Sequence, residues 1–170
     1  LVTDKVYPFD SCIESDGENP IWNIERLVDE ALAGLFAAFE KYPEIDSISV
    51  DGVGADYVVM SDTDAVLPVY TSRAVRGAEV IDEVRALAGA KTIYENTGVY
   101  LQASNSACHL FADNEWGRLE ETTDFLMIPE YIAYKLTGVK KRELTIGAST
   151  GLVNSCTLRY DRKIWSSIGI

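Results

Sequence analysis

The sequence predicts an α/β domain with a polar site at the end of a strand, and three observations carry that prediction. Ile24, Leu27, Val28, Ala31, Leu35 and Phe39 recur at helical spacing and give one apolar face. Glu44 to Val50 then reads as a strand that runs into Asp51-Gly52-Val53-Gly54-Ala55-Asp56. Paired glycines and carboxylates there place bare backbone and acidic oxygens at the rim of a sheet, a usual seat for a polar ligand in an open α/β sheet. From Gly77 onward helical spacing dominates, and Pro129 opens while Gly138 closes a short helix.

Taken in order, Leu1 to Phe9 reads as a strand. A first residue that is not Met, inside a strand, suggests a segment cut from something longer. Ser11 to Pro20 is a polar loop with a turn at Asp16-Gly17, Asn23 caps the first helix, and Tyr42-Pro43 stops it. Beyond the Asp51–Asp56 turn, Tyr57 to Met60 is a second apolar run and Ser61 to Asp64 a turn. Ala65 to Tyr70 returns as a short strand that Pro68 marks as an edge, so a meander hangs on the central strand. Gly77 to Ala88 is a helix, with Val80, Ile81, Val84 and Leu87 on one face. Lys91 to Tyr100 reads as a polar connector, Ser104 to Trp116 as a helix with Leu110 and Phe111 inward, and Leu119 to Ile128 has no strong pattern. Pro129 to Leu136 is helical. Glu143 to Asn154, small, polar and β-branched, reads as a binding loop, and the tail through Trp165 to Ile170 enters a new helix that also looks cut.

Length and composition bound the function. The 170 residues suit one domain, or a large piece of one, and an apolar fraction of 47% suits a folded core. A net charge of −12 without a cationic stripe argues against nucleic acid and anionic membranes as partners. No apolar run approaches the roughly 20 residues that span a bilayer, and no secretory pattern opens the chain. Cys12, Cys108 and Cys156 are odd in number and widely spaced, with His109 the lone histidine. Free thiols in a soluble, cytoplasmic protein account for them better than zinc or disulfides do. Cys108 and His109 are neighbours on a helix and point in different directions, which argues against a catalytic pair.

Candidate chemistry sits in a few places. Asp51 and Asp56 could serve as a metal pair or as acid and base, although five residues apart across a turn they need not converge. Arg73 and Arg76, after the expected edge strand, could face one side. Lys140-Lys141-Arg142 is the only basic cluster and reads as a solvated face or an anion contact. The tyrosines Tyr94, Tyr100, Tyr131 and Tyr134 read as core and rim. No Walker loop, dinucleotide fingerprint or nucleophile elbow occurs.

An ordered series of segments is similar to a known family. The Asp51–Asp56 turn followed by Tyr57-Val58-Val59-Met60 comes first, then Leu67-Pro68-Val69-Tyr70-Thr71-Ser72-Arg73 and Ile93-Tyr94-Glu95-Asn96-Thr97-Gly98. Leu126-Met127-Ile128-Pro129-Glu130-Tyr131, Tyr134-Lys135-Leu136-Thr137-Gly138, and Glu143-Leu144-Thr145 with Ala148-Ser149-Thr150-Gly151-Leu152 complete it, and Trp22-Asn23 precedes it. The series, spread over nearly all of residues 1–170, resembles the N-terminal domain of the FGGY carbohydrate kinases, and among them the rhamnulokinase branch. The resemblance implies a ribonuclease H-like, actin-like ATPase domain, incomplete here, with a mixed sheet, flanking helices and a second kinase domain closing over a sugar and ATP. It implies Mg²⁺-assisted phosphorylation of a primary hydroxyl of a ketose such as L-rhamnulose, with an Asp base. Fuculose or xylulose kinases and a non-catalytic sugar-binding relative are the alternatives. The family's phosphate-gripping hairpin, catalytic Asp and second domain have no counterpart in these residues, so the segment alone is expected to be inactive, with no catalytic or metal-binding residue of its own. Gly54 matches the position whose backbone approaches the sugar, where only a residue without a Cβ lets the main chain come close. Gly52 and Asp56 line the same turn, and Arg73 completes the expected sugar site. Val53 in place of an aromatic, Thr71-Ser72 in place of Arg-Asp, and Glu130 in place of Asp depart from the family pattern.

Overall fold

The strand that organises the domain is Tyr57–Ser61 (β3), in which Tyr57, Val58, Val59 and Met60 are all buried. A continuous apolar run of this kind needs cover on both faces. In the computed structural model, which describes residues 12–170, β3 gains that cover. It pairs antiparallel with Asp124–Met127 (β6), Tyr57 opposite Met127 and Val59 opposite Phe125, and on its other edge with Asp64–Ala65 (β4). Alternation then sorts the side chains into two cores. Tyr57, Val59, Phe125 and Met127 enter one, with Val84 of Arg76–Ala88 (α2), Ile93 of Ala90–Thr97 (α3), Leu110 of Ser106–Glu115 (α4) and Ile164 of Arg162–Ser167 (α7). Val58, Met60 and Leu126 enter the other, with Ile24 and Val28 of Ile24–Lys41 (α1) and Tyr131 of Ile128–Thr137 (α5).

The helix signals are realised. The Asn23 side chain accepts from the Arg26 amide at 3.0 Å and caps α1, and Gly138, at φ +71°, ends α5 as expected of a left-handed C-cap. The turn at Asp16-Gly17 also forms, but the loop expected around it is a hairpin, Ile13–Ser15 (β1) against Pro20–Trp22 (β2). The strand expected over Leu1 to Phe9 lies outside the described residues.

Several further assignments are corrected. The strand expected at Glu44 to Val50 is not formed; the chain from 42 to 56 has no regular secondary structure and Ile48 is 49% exposed. A strand exists only with a partner, and among the described residues both edges of β3 are taken by β4 and β6. The edge strand expected over Ala65 to Tyr70 is split: β4 stays with β3, whereas Val69–Tyr70 (β5) joins β2 in a separate sheet of order β1-β2-β5. Pro68 between them has no N–H to continue a ladder. The connector expected from Lys91 is helix α3, because Gly89, at φ +78°, breaks α2 and lets Ile93 and Thr97 face the core. The stretch without a pattern, Leu119 to Ile128, contains β6. Leu144–Ala148 (α6) makes part of the expected binding loop a short helix, and Val153–Asn154 (β7) pairs with Arg159–Tyr160 (β8) just before α7. Every strand pairing among the described residues is antiparallel.

Candidate functional site

The turn before β3 is held from three sides. Asp56 is buried, and its carboxylate accepts from Trp22 Nε1 at 2.7 Å and from the Ser72 amide at 2.8 Å, while its backbone carbonyl accepts from the Ile128 amide at 3.1 Å. One side chain thereby fixes β2, the start of β3 and the segment after β5. Because Ser72 immediately precedes Arg73, this contact brings Arg73 to the same rim, with its side chain exposed. Asp51 is exposed and caps its own neighbour, Oδ1 accepting from the Gly52 amide at 2.9 Å. Asp51 and Asp56 therefore do not converge, and no cluster of His, Cys, Asp or Glu among the described residues is suited to a metal.

The two glycines lie at the exposed surface of this turn. A Cβ at Gly52 would sit 3.1 Å from Pro129 Cγ, and one at Gly54 would sit 3.2 Å from Ser149 Oγ. Both therefore press against the starts and ends of helices on one side and leave bare backbone on the other. Ala55, between Gly54 and Asp56, has φ +70°. Its amide donates to Ser149 Oγ at 3.1 Å, and its carbonyl accepts from Ser106 Oγ at 2.7 Å.

Arg76 does not join Arg73. It is buried, 2.7 Å from Asp113 Oδ1, and its Nη2 donates to the His109 carbonyl at 2.6 Å. Asp113 also accepts from Arg118 Nε at 2.7 Å and from the Tyr57 hydroxyl at 2.6 Å, and Arg76 stacks on the Tyr70 ring at 4.3 Å. Burial raises the Tyr57 hydroxyl well above its ordinary pKa, with the adjacent Asp113 charge adding to the shift. Sequence reading missed this network; its signal was Asp113 directly after the largely apolar run Ala107 to Ala112, since a carboxylate on a core-facing helix requires a buried cation.

Cys108 and His109 are both buried. Burial pushes the Cys108 thiol up to about 11. Burial, with the Arg76 charge second, pushes His109 down to about 4. The carbonyls of Ser72 and Ala103 lie near the imidazole, but neither ring nitrogen makes a well-formed hydrogen bond to them. The basic cluster is spent on structure: Lys140 donates to the Asp62 carbonyl and Arg142 pairs with Asp124. A cavity of about 490 Å³ lies elsewhere, lined by Phe125, Arg142, Tyr160 and Trp165, and none of Gly52, Gly54, Asp56 or Arg73 reaches it.

Residues 10–170 match the N-terminal domain of the FGGY family of carbohydrate kinases. Rhamnulokinase from Mannheimia succiniciproducens is 31% identical over 170 residues, 98% of this chain and 35% of that protein. Rhamnulokinase from Oceanobacillus iheyensis is 29% identical over 172 residues, 99% of this chain and 37% of that protein. The chain thus spans about a third of the length of these curated relatives. Among solved structures, gluconate kinase from Lactobacillus acidophilus superposes with a TM-score of 0.85 at 20% identity, covering 98% of this chain and 34% of that one. The ligand-bound xylulose kinase from the same organism gives 0.82 at 21% identity, over 98% and 34%. The fold is the ribonuclease H-like, actin-like ATPase fold of these kinases, and among the described residues no helix is long and apolar enough to cross a membrane.

Proposed function

This chain belongs to the FGGY family of carbohydrate kinases, and on that premise we propose that the full-length protein containing it phosphorylates a ketose such as L-rhamnulose at a primary hydroxyl, with ATP as the phosphoryl donor. The observation that carries the reading is the turn from Gly52 to Asp56. Exposed glycine backbone there faces outward, and the Asp56 carboxylate ties in the segment that bears Arg73. The main-chain amide and carbonyl at Gly54 can hydrogen-bond sugar hydroxyls without the bulk of a side chain, and the exposed Arg73, next to Ser72, supplies a guanidinium donor. Asp56 contributes by holding the rim in place. The identity with rhamnulokinases along nearly the whole chain favours a six-carbon deoxyketose over other sugars.

The chemical step lies outside these residues. Among the described residues no cluster of His, Cys, Asp or Glu is suited to a metal, and we assign Mg²⁺ and the general base of the reaction to the remainder of the full-length protein, together with a second kinase domain closing over the sugar. This chain's share of the work is to bind and orient the ketose.

The test is ketose-dependent ADP formation by the full-length protein across L-rhamnulose, L-fuculose and D-xylulose. Turnover highest with L-rhamnulose supports the reading. Turnover with another ketose alone transfers the assignment to that sugar, and sugar-dependent binding without turnover marks a non-catalytic relative.

A further inference from the structure

We infer that Ser149 is a positioning residue for the sugar: with Ser106 it holds Ala55 in a left-handed backbone conformation that presents Gly54 to the ligand. The inference rests on the reading of this turn as the sugar site. An alanine at φ +70° is disfavoured because its Cβ crowds the following carbonyl, whereas a glycine would sit there freely. The turn keeps the disfavoured residue, and two hydroxyls from distant parts of the chain hold it at its amide and at its carbonyl. Ser149 Oγ accepts from the Ala55 amide at 3.1 Å and donates to the Ile146 carbonyl at 2.6 Å, so the donor in this chain is already committed and a lone pair faces the turn. Ser106, fully buried at the start of α4, donates to the Ala55 carbonyl at 2.7 Å.

Ser149 is itself fixed. It ends α6, whose first turn is capped by Glu143, with Oε1 accepting from the Thr145 amide at 3.0 Å and Oε2 from the Ile146 amide at 2.7 Å. The Glu143 amide donates in turn to Glu130 Oε1 at 2.6 Å, and Glu130 Oε2 accepts from the Met127 amide at 2.9 Å. A line of charge-assisted hydrogen bonds therefore runs from the end of β6 through α6 to the turn. The same Ser149 side chain lies directly behind Gly54, where an added Cβ would be 3.2 Å from Oγ and 3.3 Å from Cβ. Gly54 is thus backed by one serine and open on its other face. A turn held in this way offers its backbone to the sugar without first having to be ordered, and binding gains by that preorganisation.

The experiment is steady-state kinetics on the full-length protein with L-rhamnulose and ATP. Ser149→Ala should raise the KM for L-rhamnulose about five- to tenfold, the worth of one lost hydrogen bond, and leave kcat and the KM for ATP within about twofold. Adding Ala55→Gly should recover much of that loss, because glycine needs no hydroxyl to hold it at positive φ. A serine that only capped α6 would not respond to a change at position 55. If Ser149→Ala does not fold, Ser106→Ala must show the same split between the two KM values. An active protein whose sugar KM is unmoved by Ser149→Ala, or whose loss is not reduced by Ala55→Gly, overturns the inference alone. An unsubstituted protein that phosphorylates no ketose overturns the functional reading, and the inference falls with it.

Discussion

Replacing Gly77 with alanine should destabilise this domain, although helix propensity alone says the opposite. Gly77 lies in the first turn of α2, where alanine is worth up to about 1 kcal/mol over glycine. The packing reverses that gain. A Cβ at Gly77 would stand 2.1 Å from the Ala103 carbonyl oxygen and 2.8 Å from His109 Nε2. The closest ordinary carbon–oxygen contacts are about 3.3 Å, so α2 would have to withdraw by roughly an ångström from a backbone group that cannot rotate away. Overpacking of this kind costs about 3 kcal/mol, and less the helix gain the net loss is about 2 kcal/mol. With a urea m-value near 2 kcal/mol per molar, the unfolding midpoint followed by far-UV circular dichroism should fall by about 1 M. A midpoint that is unchanged or higher would refute the close α2–α4 seam and, with it, the burial of His109.

Two further outcomes follow from the same interior. His109 binds its proton more weakly when folded, at about 4 against 6.5 when unfolded, so its contribution is fully present above pH 6.5 and is lost as the pH falls towards 4, by about 3 kcal/mol in all. Denaturation midpoints at pH 7 and pH 5 should show this slope, and His109→Gln should flatten it; the capping carboxylates Glu143 and Asp161, whose pKa values are lowered first by the side chains of Thr145 and Asn154 and then by the amides they cap, add their own loss only at lower pH. Trp22→Phe removes the indole donor from the buried Asp56 carboxylate and should cost about 2 kcal/mol, lowering the midpoint of thermal unfolding by about 4–8 °C.

The parts of the fold legible in the sequence are those fixed by local physics. Asn23 as a cap, the Gly138 stop, the Asp16-Gly17 turn and the helical spacing of Val80 and Val84 each act within a few residues and formed as read. What depended on distant partners was hidden. Ile45, Ile48 and Val50 have strand composition, but only a neighbouring strand turns composition into a ladder. The Leu119–Ile128 stretch had no pattern because β6 is covered on both faces, which erases alternation. The Asp51–Asp56 turn was legible as a feature, since glycines and carboxylates mark it. Its supports were not, because Trp22, Ser72, Ser106 and Ser149 reach it across 16 to 94 residues of chain. The buried Arg76–Asp113–Arg118 network escaped for the same reason, its members spread over three segments.

Titration calorimetry of L-rhamnulose into the full-length protein, unsubstituted and as Gly54→Val, tests the sugar-binding turn most directly. A valine there would crowd Ser149 behind the turn and displace the backbone that meets the ligand, so the variant should bind at least about tenfold more weakly. Equal affinity in the two proteins would mean that the sugar does not meet the chain at Gly54.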